Sequence, residues 1–94
     1  MGGPLSTILL TKMNVASYDP WRTTFDRAVA HRREHGVTGH DVYCSPEDMT
    51  SILVVEYFDS THEAKVVSAD LELLHELQEG GVIGAPHFTI VETV

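Results

Sequence analysis

Apolar residues recur along the chain at two spacings, one typical of strands and one typical of helices. Four segments are rich in apolar and β-branched residues and end at turn residues, which predicts strands. The predicted strands are LSTILLTKMNV (5–15), VTGHDVYC (37–44), SILVVEYF (51–58) and HFTIVETV (87–94). Because Pro46 takes the first corner position of a turn, the second and third strands are predicted to form a hairpin.

The first predicted helix lies between the first two strands. Its apolar residues at helical spacing are Trp21, Phe25, Ala28 and Val29. Asp19 is the expected N-cap, and Pro20 suits the first turn because it lacks the N–H that this position leaves unpaired. Gly36 follows a basic last turn and is expected to end the helix.

The second predicted helix follows the third strand. Ser60 and Glu63 have the spacing of a capping box and are expected to start it. The helix is expected to bend near Ser68, which would cap a second segment, and to stop at Gly80 and Gly81.

This order of elements is β-α-β-β-α-β, which predicts a single α+β domain over residues 1–94 with a ferredoxin-like fold. Two helices would cover one face of a four-stranded antiparallel sheet. Both alternating sets of residues in the third strand are apolar: Ile52, Val54, Phe58 and Leu53, Val55, Tyr57. Since a sheet that is wet on one side should alternate, a second copy of the chain is predicted to cover the other face as a symmetric homodimer.

Charge and composition exclude several classes of partner. The net charge of −8 falls in residues 48–94, which hold Lys65 and nine carboxylates, so nucleic acid and anionic membrane surfaces are unlikely partners. No apolar stretch reaches the length of about 18 residues needed to span a membrane, and we expect a soluble, cytoplasmic protein. The single cysteine, Cys44, excludes an internal disulfide and is expected to be a buried strand residue.

Several stretches together resemble the dimeric α/β-barrel superfamily, near its antibiotic-biosynthesis-monooxygenase-like proteins. They are Phe58-Asp59-Ser60, SADL (68–71), GGVIGAP (80–86) and the pair Trp21 and Phe25. The resemblance covers nearly the whole chain and implies a homodimer with a ligand cavity between the helices and the sheet of each subunit. Members include cofactor-independent monooxygenases of polyketide quinone pathways, small cyclases and haem-degrading enzymes.

Two charged residues stand in apolar patterns. Arg32 falls on the buried stripe of the first helix, where its stem would pack while its head reaches water or the helix end. The alternative is an anchor for an anion or a carbonyl at a cavity mouth. Glu56 lies inside ILVVEYF and would either pair with a basic residue of a neighbouring strand or of the second subunit, or act as a general base.

The histidines and tyrosines supply further candidates. His31 and His35 have a spacing that suits a metal, but no third ligand accompanies them, so we interpret them as the basic end of a helix and expect no metal. His75, placed beside Leu71 and Leu74 at the edge of an apolar face, is a candidate catalytic residue. Haem-degrading relatives carry their haem ligand on this helix, although their tryptophan near the start of the helix is missing here. The candidate substrate-binding residues are Trp21, Arg32, His40, Tyr43, Tyr57 and His87.

The resemblance implies two functions. The first is an enzyme that oxygenates or cyclises an aromatic or polyketide-like molecule without a cofactor, with Glu56 or a histidine moving a proton and Arg32 holding an oxyanion. The second is a non-catalytic, ligand-binding or stress-related homodimer. Haem binding is a minor alternative.

Overall fold

The elements follow the predicted order in a computed structural model that describes residues 6–93. They are β1 (Thr7–Val15), α1 (Tyr18–Glu34), β2 (Gly39–Ser45), β3 (Asp48–Phe58), α2 (Thr61–Ala69), α3 (Leu71–Glu79) and β4 (Val82–Glu92). The α+β ferredoxin-like prediction is confirmed, with the second predicted helix divided into α2 and α3. Leu5 and Val94, at the outer ends of two predicted strands, lie outside the described residues.

The strands form one antiparallel sheet in the order β2-β3-β1-β4. Alternate residues of β1 are buried, because one face of the sheet packs against the helices. We call this the helix face; it carries Leu9, Val54 and Glu56. The opposite face, the open face, carries Leu10 and Leu53 and has no covering element among residues 6–93.

The core between helices and sheet consists of two apolar clusters. Around α1 and α3 the buried members are Met13, Val15, Trp21, Phe25, Ile52, Val54 and Leu77. Around α2 they are Leu9, Val37, Phe58, Ala64, Val67 and Leu73. Along β3, Glu56 lies between Val54 of the first cluster and Phe58 of the second, so a carboxylate stands at the junction of the two clusters.

The helix caps differ from the prediction in two places. The N-cap of α1 is Ser17, with extended backbone, and not Asp19, which lies in the first turn where its charge favours the helix dipole. The N-cap of α3 is Asp70 and not Ser68. The Asp70 side chain accepts hydrogen bonds from the first backbone N–H groups of α3, whereas the Ser68 hydroxyl donates to the Lys65 carbonyl within α2.

The start of the last strand also differs from the prediction. The strand β4 begins at Val82, ahead of Pro86, because β4 is an edge strand whose pairing with β1 is interrupted between Ile83 and His87.

Cys44 is exposed, which contradicts the prediction that its side chain is buried. It shares the helix face with Val42, but β2 is the other edge of the sheet. No helix within residues 6–93 is long and apolar enough to cross a membrane.

Candidate functional site

A buried ion pair joins α1 to the centre of the sheet. The Arg32 Nε lies 2.5 Å from Glu56 Oε2, and Arg32 Nη2 lies 2.5 Å from Glu56 Oε1. Arg32 is 5% exposed and Glu56 is 1% exposed. Burial of either charge alone is unfavourable, so the two-bond geometry explains how both are accommodated in the core. The Arg32 head therefore turns inward, away from the water or helix end expected for it, and the partner of Glu56 comes from a helix.

Aromatic side chains lie beside this pair. The rings of Trp21 and Phe25 stack with centroids 5.3 Å apart, and His40 meets the Phe25 ring edge-on at 5.2 Å. His40 is directly opposite Glu56 in the β2–β3 register, so both lie on the helix face. Flat rings therefore line part of the space next to the charged pair.

Two small voids flank Arg32, each of about 10 Å³ and large enough for about one water molecule. The inner void is bordered by Trp21 and Glu76 as well as Arg32, and the second void by His40 and Glu56. The resemblance implies a larger ligand cavity between the helices and the sheet. In a single chain, side chains of residues 6–93 fill this space.

An open groove of about 310 Å³ lies between α1 and α3, beside the inner void. Its lining comprises Thr24, Arg27, Ala28, Glu76 and Glu79. Thr24, Ala28 and Glu76 also border the inner void, so the groove adjoins the buried ion pair across these side chains. We call it the outer groove.

Two histidines at the carboxyl end of α1 lie beside carboxylates of α3 and of its N-cap. His31 Nδ1 lies 2.6 Å from Glu76 Oε1, and His35 Nε2 lies 3.4 Å from Asp70 Oδ2. The hydrogen bond to Glu76 raises the pKa of His31, against a smaller lowering by burial. Within residues 6–93 no three His, Cys, Asp or Glu side chains are grouped to hold a metal ion.

The other predicted site residues lie elsewhere. Tyr43, Tyr57 and His87 are on the open face, where the Tyr57 hydroxyl donates to Asp41 at 2.6 Å and this bond raises the pKa of Tyr57. His75 is an exposed residue of α3 with its Nε2 2.9 Å from a Glu79 oxygen. The structure thus brings together four of the predicted residues: Trp21, Arg32, His40 and Glu56.

Glu76 is the residue that the sequence reasoning missed. The buried face of α3 consists of Leu73 and Leu77, and not of the side that carries Leu71, which is 79% exposed. Glu76 lies three residues after Leu73 and one before Leu77, which places it at the edge of that face. The spacing of Glu76 from Leu73 and Leu77 is the sequence signal that could have identified it as a candidate.

Comparison with known proteins identifies the fold. The sequence matches no protein-family model and no curated protein sequence. Solved structures match over nearly the whole chain. An antibiotic biosynthesis monooxygenase superposes with a TM-score of 0.71 at 9% identity, covering 94% of this chain and 98% of that one. The chain has the ferredoxin-like fold of antibiotic-biosynthesis-monooxygenase-like proteins.

Two further structures have this fold. SnoaB from Streptomyces nogalater, a cofactor-independent oxygenase, gives a TM-score of 0.66 at 10% identity, covering 98% of this chain and 93% of SnoaB. A conserved protein from Methanosarcina mazei Go1 gives a TM-score of 0.71 at 14% identity, covering 93% of this chain and 91% of that one. At these identities the likeness establishes the architecture that the resemblance predicted.

Proposed function

We propose that the chain is a homodimeric enzyme that oxygenates or cyclises a small aromatic, polyketide-like molecule without a cofactor. The observation that carries this proposal is the buried Arg32–Glu56 pair, which is flanked by two voids that aromatic side chains border, the inner one beside the outer groove. A flat ring would pack against such surfaces, and a guanidinium would hold an oxygen of the substrate. The likeness to SnoaB supports the same reaction class.

The Arg32 guanidinium would stabilise negative charge on the substrate. Glu56 accepts from Nε and Nη2, and the guanidinium makes no other hydrogen bond within residues 6–93. Arg32 borders both voids, and its remaining guanidinium N–H donors would bind an oxyanion there. In an oxygenation without cofactor, the deprotonated substrate reacts directly with dioxygen, so binding and orientation are the protein's main contribution. Glu56 or His40, which border the second void, would accept the proton.

A non-catalytic ligand-binding dimer is the second candidate. Both Glu56 oxygens already accept from Arg32, so the carboxylate has less capacity to act as a base than a free one. This observation favours binding over turnover. His75 is the residue on which the haem-binding alternative depends. It pairs with Glu79 on the surface of α3, away from both voids.

The open face supports the homodimer. Ile8, Leu10, Leu53 and Tyr57 form partly buried neighbours on it, and Val91 is 41% exposed beside them. An apolar sheet face of this kind is normally covered, and a second copy of the same face is the simplest cover. Native mass spectrometry should give twice the chain mass, and Leu53→Glu should give the single mass. A wild-type monomer would contradict the dimer.

Turnover assays separate the two functions. A panel of quinol- and phenol-type compounds should give oxygen uptake if the chain is an oxygenase, and isomerisation without uptake if it is a cyclase. The variant Arg32→Met with Glu56→Leu removes both charges together and should abolish turnover. Lys65→Met, which removes an exposed charge on α2 away from both voids and the outer groove, is the matched control. Binding without turnover would support the second candidate, and full activity of the double variant would refute the proposed site.

A further inference from the structure

The carboxylate of Glu76 has one oxygen without a partner. Its Oε1 lies 2.6 Å from His31 Nδ1, while its Oε2 is shielded from solvent and accepts no hydrogen bond from any residue between 6 and 93. Buried acceptors are nearly always paired with protein groups, water or a ligand. Glu76 therefore marks a position at which a donor is missing.

The inner void beside Glu76 has the size and the partners for one hydroxyl group. Its volume is about 10 Å³, and both Glu76 and Arg32 border it. Arg32 keeps N–H donors that Glu56 does not use. Because a hydroxyl donates one hydrogen bond and accepts others, a single hydroxyl can donate to Glu76 and accept from Arg32.

The outer groove supplies room for the remainder of such a molecule. Its volume of about 310 Å³ is at the small end of ligand pockets, which fits a fused two-ring aromatic. The groove and the inner void share Thr24, Ala28 and Glu76 as a common wall, so a substituent of a ring in the groove would pass between these side chains to reach the void.

We propose that Glu76, positioned by His31, binds the hydroxyl of a neutral hydroxy-aromatic ligand whose ring occupies the outer groove. This inference rests on the proposed function, since it requires an aromatic ligand next to Arg32. It adds a residue, Glu76, and a chemical class, a naphthol-like molecule with an un-ionised hydroxyl. A ligand without that donor would leave Glu76 Oε2 unpaired and bind more weakly.

Calorimetric titration of the full chain tests the inference with two probes. They are 1-naphthol and 1-fluoronaphthalene, which has a similar shape but no O–H donor. In Glu76→Gln the amide oxygen is expected to face His31, so the amide NH₂ would face the void in place of an acceptor. Binding of 1-naphthol should weaken by about ten- to a hundredfold, as expected for loss of a hydrogen bond to a charged group. Binding of 1-fluoronaphthalene should stay unchanged.

Two other variants complete the design. Glu72→Gln removes an exposed carboxylate from the same helix and should leave both affinities unchanged. His31→Gln should weaken the binding of 1-naphthol by a smaller factor. The variant removes the histidine that positions the Glu76 carboxylate but keeps the carboxylate itself.

The outcomes distinguish the inference from the proposed function. If Glu76→Gln binds 1-naphthol as tightly as wild type, while the Arg32→Met, Glu56→Leu variant binds it weakly, the inference is overturned and the proposed function stands. Equal weakening of both probes in Glu76→Gln would indicate a purely structural role and also overturn it. Failure of 1-naphthol to bind the wild-type chain would overturn the inference, while the turnover panel would still decide the proposed function.

Discussion

Removing one member of the Arg32–Glu56 pair should destabilise the fold far more than removing both. In Arg32→Met the Glu56 carboxylate, 1% exposed, would remain in the core without its charged partner. Breaking a buried pair in this way costs about 3–5 kcal/mol. Since domains of this size unfold with a free energy of about 5–15 kcal/mol, the single variant should lose about a fifth of its stability or more. Adding Glu56→Leu should restore most of that loss.

Urea unfolding followed by the fluorescence of Trp21, the sole tryptophan and 1% exposed, measures the effect. With a slope of about 1–1.5 kcal/mol per molar urea, Arg32→Met should lower the midpoint by roughly 2–5 M, or leave the chain unfolded. Arg33→Met on the exposed side of α1 should change it little. A loss below about 1 kcal/mol in Arg32→Met, the size typical of surface pairs, would refute a buried pair, as would a double variant no more stable than the single one.

Three further predictions concern the helix ends. The raised pKa of His31 means that its contact with Glu76 stabilises the fold fully below about pH 6.5, and that this contribution is lost as the pH rises through the folded-state pKa. The variant His31→Gln should remove this fall in unfolding free energy. A pH profile of unfolding free energy that is the same in the variant as in the wild type would contradict the prediction. Asp70→Ala should lower the unfolding free energy by about 1 kcal/mol because it removes the N-cap of α3, whereas Asp70→Asn should keep most of it; equal losses in thermal unfolding would show that the cap is not the cause. Gly36→Ala should lower the melting temperature, because Gly36 has a φ of +102° and a Cβ there would meet the Glu63 carboxylate, so a melting temperature equal to wild type would exclude this strain.

The amphipathic segments were predictable because their signals are local. The alternation in β1 and the spacing of Trp21 and Phe25 in α1 each report which side of one element faces apolar neighbours. The Ser60 cap was predictable for the same reason, since its side chain accepts from the backbone N–H of Glu63 only three residues away.

Other features depended on the position of an element within the sheet. Pro86 and Gly84 would end an interior strand, yet β4 continues through them because it is an edge strand with an interrupted ladder. Cys44 belongs to a residue type that is usually buried, but β2 is the edge strand opposite to β4 and leaves the Cys44 side chain exposed. Neighbour strands and edges are set by the whole sheet, so the local sequence could not report them.

The sequence by itself determined the α+β order and marked Arg32 and Glu56 as charged residues within apolar patterns. Only the tertiary structure decided that these two residues meet, 24 positions apart, and that Glu76, from a third element, borders the same void as Arg32. The physical reason is that periodicity specifies which face of an element is buried, whereas the partner of a buried charge depends on how the helices pack across the sheet.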